Sequence, residues 1–361
     1  MYKHLFRALL FSSTLAITAC GPSDENNATE NNTTTENNSS MTIDKEAQRM
    51  EFDTCVAENA DTTTYTPFET SISTAARVAA FETMGDKTWR NEDLTGTDFE
   101  EANLAYVEDE GLDSRVSRRE DEHYPAVTDD AGETVKCNES DEIAEANPDR
   151  CVGPAQMRPI IVDSLTVGAT STDTQEQKLA AARLESTLLW FFYVSTFKEA
   201  TTCTSKKKDC DSSFGYYTGV QDKDMGLGLS GYFIREVPEA HDAVWDGIMQ
   251  MRCWRQVDST DTAQNLELRD EALSAMDHGL LYGISRLITA RLESLADATD
   301  DEKAVTWQWL QIMGPVLDRS AAETDATKAT TLREAFAQES PEGVDAAALV
   351  TTIEELFPSA S

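Results

Sequence analysis

The chain has 361 residues and carries 66 acidic against 30 basic side chains, a formal net charge of −36 at pH 7. A field of that sign makes nucleic acid and anionic lipid surfaces poor partners, and no nucleic-acid ligand is expected. The acids are spread along the chain rather than clustered at ligand spacing, which leaves two readings: an acidic coat that keeps the protein soluble in a salty habitat, or capture of cations or of a basic protein.

At the N-terminus, Lys3 and Arg7 precede an apolar stretch from Ala8 to Thr18, and Ile17-Thr18-Ala19-Cys20 closes it with small residues before a cysteine. This is the plan of a signal peptide over residues 1–19, too short to span a bilayer. The junction resembles the lipobox of bacterial lipoproteins. That resemblance implies cleavage before Cys20, a diacylglycerol on its sulfur, an acylated amine, and attachment to the membrane through this N-terminal lipid alone. Gly21 stands where an aspartate would signal inner-membrane retention, so the resemblance implies the outer membrane of a bacterial cell envelope. Residues 20–45 then form an Asn/Thr/Glu-rich tether with nothing to seed a core, expected to be disordered and to span roughly 25–30 Å.

Lipidation of Cys20 leaves six of the seven cysteines. In an oxidising compartment an even number points to disulfides, with fifteen pairings open in principle. Proximity along the chain suggests Cys203 with Cys210 and Cys137 with Cys151, leaving Cys55 for Cys253. There is no C-x-x-C pair and the histidines are scattered, so neither a metal site nor a cofactor is expected.

The body, 46–361, reads as mainly α: a disulfide-stabilised, bundle-like assembly, helix-rich over 171–357, with a loop-rich acidic insertion over 85–158. Asp173 and Glu176 open a helix to about Ala200 in which Leu188 to Val194 is apolar on every face and belongs in the middle of the core. Pro238 starts a second helix running to about Val257. In a third, Leu273, Met276, Leu280, Ile284, Leu287, Ile288, Leu292 and Leu295 recur at three- and four-residue steps beside a row of small residues, Ala275, Gly279 and Gly283. Glycine costs a helix about 1 kcal/mol, so the row predicts close contact with a neighbouring helix. Thr299 and Glu302 make a capping box for a helix that carries Trp307 and Trp309 and bends near Pro315. Two shorter helices follow, at about 325–338 and 341–356.

Three places could bind something. Arg115, Arg118 and Arg119 cluster inside the acidic insertion and read either as local charge pairing or as a site for a carboxylate or other anion. Between Asp211 and Tyr232, five glycines surround Phe214, Tyr216, Tyr217, Asp222 and Asp224. This pattern reads as a ligand loop for a sugar, an amine or a cation, or as a packed connection that needs glycine dihedrals. Asp222 and Asp224 do not open an EF-hand, because Gly226 and Phe233 fill the ligand positions five and twelve and Leu227 stands at position six, where the loop needs glycine. His241 and His278 sit on apolar helical faces and read as core histidines, while Glu239, Asp242 and Asp246 form an acidic helical face.

With its lipobox, acidic tether and helical body, the chain resembles imelysin-type envelope proteins in architecture. Those proteins carry Gly-x-His-x-x-Glu; here Val244 follows His241 by three residues and Leu281 follows His278, so the resemblance transfers no site. No hydrolase, P-loop or dinucleotide motif occurs. The expectation is a non-catalytic, lipid-anchored binding or envelope-interaction protein for a small molecule, cation or basic protein. The alternative is a hydrolase or metal-dependent enzyme whose site is assembled from distant residues.

Overall fold

A computed structural model describes residues 44–108 and 111–359. Cys20, the expected signal peptide and nearly all of the expected tether lie outside the described residues. Regular structure among the described residues is helical, apart from one isolated antiparallel bridge between Thr128 and Thr134.

The first helices are α1 (Lys45–Asn59), capped by Asp44, α2 (Ala75–Lys87) and α3 (Gly96–Val107). The last of these corrects the expectation of a loop-rich segment over 85–158. Thr95 and Asp98 cap the helix at its start, and Phe99, Ala102 and Tyr106 bury one face at steps of three and four against α2 and a helix further on. Two short helices, α4 (Asp113–Val116) and α5 (Asp141–Ala146), flank a stretch that does remain irregular, 117–140.

A π-helical turn at Gly153–Met157 leads into α6 (Arg158–Thr170) and then α7 (Thr174–Thr202). As expected of a segment apolar on every face, α7 is the axis of the core. Leu188, Leu189, Phe191, Phe192, Tyr193 and Val194 are buried, and α6 packs on it together with three helices that follow, α8, α11 and α12. Trp190 alone in this run is only half-buried.

The glycine-rich stretch 211–232 is mostly helix, which corrects its reading as a ligand loop. Helix α8 (Lys208–Thr218) takes in Phe214, Tyr216 and Tyr217, and α9 (Leu229–Glu236) takes in Tyr232. Gly215 is tolerated inside α8 because a Cβ there would collide with the Thr74 side chain; the position needs a small residue for packing. True turn glycines remain at Gly219 and Gly228, with φ of +68° and +60°.

Helix α10 spans Pro238–Val257, as the proline predicts, and α11 spans Leu266–Ser294. The row of small residues is explained by contact. A Cβ on Gly279 would lie 3.0 Å from the Val244 backbone nitrogen, one on Gly247 would lie 2.6 Å from Met276 Cα, and one on Gly283 would enter the Phe233 ring.

Helix α12 (Asp300–Met313) starts at the Thr299 and Glu302 capping box. It stops at a 3-10 turn, Gly314–Leu317, rather than bending through Pro315, and α13 (Asp318–Thr324) and α14 (Ala326–Phe336) follow. Helix α15 spans Ala346–Leu356. It starts later than the sequence suggests because Asp345 supplies its cap, after a turn at Gly343 with φ of +80°.

Three disulfides staple the body at the pairings expected from proximity. Cys55–Cys253 joins α1 to α10, Cys137–Cys151 closes the irregular stretch, and Cys203–Cys210 joins α7 to α8, with Cα separations of 5.7, 5.2 and 5.1 Å. No helix among the described residues is long and apolar enough to cross a membrane.

Candidate functional site

The residues from Arg118 to Tyr124 form a strap across α7, held from behind by one guanidinium. Arg150 donates to the carbonyls of Asp121 and Tyr124 at 3.0 and 2.9 Å and to the carboxylates of Glu120 and Glu122 at 2.8 and 3.0 Å. The Asp121 amide returns a bond to the Arg150 carbonyl at 2.8 Å, and Cys151, the next residue, is tied to Cys137. Local polar bonding of this density replaces the helical ladder that the acidic sequence does not form.

His123 is driven inward by the strap. Its ring stacks on Phe197, with centroids 3.5 Å apart. Nδ1 faces Asp121 Oδ1 at 2.6 Å, and Nε2 faces Asp277 Oδ1, on α11, at 3.2 Å. The Tyr193 hydroxyl donates to the same Asp277 oxygen at 3.0 Å, and Arg319, on α13, reaches the other at 3.3 Å and continues to Glu323. Burial pushes the His123 imidazole down, but its hydrogen bonds to Asp121 and Asp277 and their charges outweigh this and hold it above its ordinary value. With a carboxylate at each nitrogen, the ring satisfies both partners as the doubly protonated imidazolium.

A cavity of about 220 Å³ adjoins this network, between the strap, α7, the 3-10 turn and α13–α14. Asp121, Tyr124, Trp190, Tyr193, Arg319 and Phe336 line it, with Asp149 at the wall. Its volume is below the roughly 300–1,000 Å³ of drug-sized sites and suits a molecule of amino-acid or simple amine size. Burial pushes the Tyr124 phenol up to about 12, aided by the charges of Asp149 and Asp121, so it stays a neutral hydroxyl.

The chain matches no family model, no curated protein and no solved structure. Roles for these residues therefore rest on geometry.

Of the residues singled out in the sequence, Tyr216 and Arg119 do meet. The Arg119 guanidinium lies 5.3 Å above the Tyr216 ring, bonds its hydroxyl at 3.3 Å and pairs with Glu199 at 3.3 Å. Arg119 and Tyr216 are buried, and Glu199 already neutralises the guanidinium. The side chains of Arg115 and Arg118 make no hydrogen bond or ion pair among the described residues, and Arg118 is exposed, its pKa lowered by burial of part of the side chain and by Arg115 and Arg119 beside it. Phe214 stacks on Tyr65 with centroids 4.1 Å apart. Tyr217 bonds His241 Nδ1 at 3.0 Å, and His241 Nε2 bonds the Lys223 carbonyl at 2.8 Å, so His241 is a satisfied core histidine. Burial pushes it down, towards the neutral ring. Asp222 and Asp224 are exposed at a 3-10 turn, away from the buried aromatics they were grouped with, and His278 is exposed rather than in the core. On the acidic face of α10, Asp242 pairs with Lys223 at 2.7 Å.

Among the described residues no group of three His, Cys, Asp or Glu side chains could hold a metal ion. The cavity itself escaped the sequence reading. His123 lies in the stretch read as loop, and apart from Asp121 its partners are 70 and more positions away. The only local signal is an aspartate two residues before a lone histidine in an acidic run.

Proposed function

We propose that the protein is a lipid-anchored extracytoplasmic binding protein that holds a small polar molecule in the cavity between the strap and α7. The observation that carries this is the cavity wall, where aromatic side chains stand beside polar groups whose positions are set by the His123 network. Binding fits better than catalysis. A general base needs a nitrogen free to take a proton, and both nitrogens of His123 are committed to carboxylates. The three disulfides fit an extracytoplasmic location, and the lipobox-like segment ending at Cys20 supports anchoring.

Two measurements test this reading. Cys20→Ser should move the protein from the membrane to the soluble fraction of fractionated cells; retention of the variant on membranes would remove the anchor. A thermal-shift screen of amines, amino acids, sugars and small carboxylates should find a compound that raises the unfolding midpoint by mass action. The rise should vanish in Trp190→Ala with its helix content intact by circular dichroism, and an undiminished shift in that variant would move the site elsewhere.

A further inference from the structure

We infer that the cavity takes a small organic cation, an alkylammonium group held between carboxylates and aromatic faces. The inference rests on the binding reading above and adds the chemistry of the ligand. Asp121 carries it. The residue is only 7% exposed, and Oδ1 accepts both the His123 amide at 3.0 Å and Nδ1 at 2.6 Å. Oδ2 takes no hydrogen bond among the described residues and is not among the side-chain oxygens sealed from solvent without a partner. Asp121 is one of the residues that line the cavity. A recessed carboxylate oxygen with no donor is costly unless water or a cation completes it.

The surrounding charge has the same sign. Arg319 is spent on Asp277 and Glu323, and Arg333 is spent on Asp318 through two short contacts at 2.7 and 2.8 Å. Asp149, at the wall, has no hydrogen bond or ion pair among the described residues. Around the cavity the five carboxylates of Asp121, Asp149, Asp277, Asp318 and Glu323 outnumber the cations of His123, Arg319 and Arg333 by two. An anion would meet arginines already neutralised and a carboxylate lacking a donor. A cation would meet that carboxylate and, in Trp190, Tyr124 and Phe336, rings whose faces attract positive charge. The net charge of −36 raises the local concentration of such ligands in the same direction.

The test uses a pair of equal shape and different charge, choline and 3,3-dimethylbutan-1-ol, with tetramethylammonium and acetate as further probes, titrated calorimetrically into the full-length protein. Choline and tetramethylammonium should bind at least about tenfold more tightly than the neutral alcohol, and added salt should weaken them. Asp121→Asn should reduce choline affinity by about tenfold or more and leave the alcohol unchanged. Asp149→Asn, at an exposed position, makes the same comparison should Asp121→Asn fail to fold. Equal binding of choline and the alcohol, or a preference for acetate, would overturn the cation inference and leave the binding reading standing. If none of these probes binds and the wider screen also finds nothing, both readings fail.

Discussion

Replacing His123 with glutamine removes the one positive charge between Asp121 and Asp277 while keeping a side chain of similar reach. The two carboxylates then face each other across a neutral amide, and the stacking on Phe197 is lost. Removing one partner of a buried pair costs about 3–5 kcal/mol. The lower end applies, because the Asp277 side chain is 15% exposed and keeps both Arg319 and Tyr193. A loss of about 3 kcal/mol corresponds to a midpoint lower by about 5–10 °C for a chain of this size. The pH dependence makes the test specific. His123 holds its proton more tightly folded than unfolded, so its contribution is complete below the unfolded value of about 6.5 and is lost as pH rises through the raised folded value. The gap between wild type and His123→Gln should thus be widest at about pH 6 and shrink in alkali. Urea titrations followed by circular dichroism across that range measure it. A variant as stable as wild type at about pH 6, or a gap that widens with pH, would refute the imidazolium bridge.

Tyr217→Ala should cost about 3–5 kcal/mol in a urea titration, since the ring is fully buried and its loss leaves His241 without a hydroxyl partner. The double change Cys55→Ala and Cys253→Ala releases a 198-residue separation and should lower stability by about 5 kcal/mol on the chain-entropy estimate, with α1 becoming the first site of limited proteolysis.

How much was legible from the sequence depended on where each partner lies along the chain. Helix α10 was found at both ends because Pro238 is a local start signal, and α7 was found because seven successive apolar residues have no other use in a helical protein. The row of Gly279 and Gly283 announced a close helix contact without naming Val244 or Phe233 as the neighbours. Helix α3 was missed because its buried face is only Phe99, Ala102 and Tyr106, too few against an acidic background. Helix α8 was misread because Gly215 answers a tertiary contact with Thr74, which no local rule can see. The cavity was the least legible part. Asp121, Trp190, Asp277 and Arg319 are unremarkable at their own positions and acquire meaning only when α7, α11 and α13 bring them to the strap.

The small ring closed by Cys137 and Cys151 sets an order of events for the molecule. Its own apolar cluster amounts to those two cysteines and Ala144, with Val127, Ile143 and Ala155 at its edge. That is too little to fold without the covalent link. Arg150 is adjacent to Cys151, and the backs of Glu120, Asp121 and Glu122 rest on it. In a reducing compartment the chain can assemble the helices around α7 yet leave this backing loose, with Asp121 and His123 undirected. The proposed recognition is thereby tied to oxidation of this ring: a chain in which Cys137 and Cys151 stay reduced lacks the backing that directs Asp121 and His123 towards the cavity.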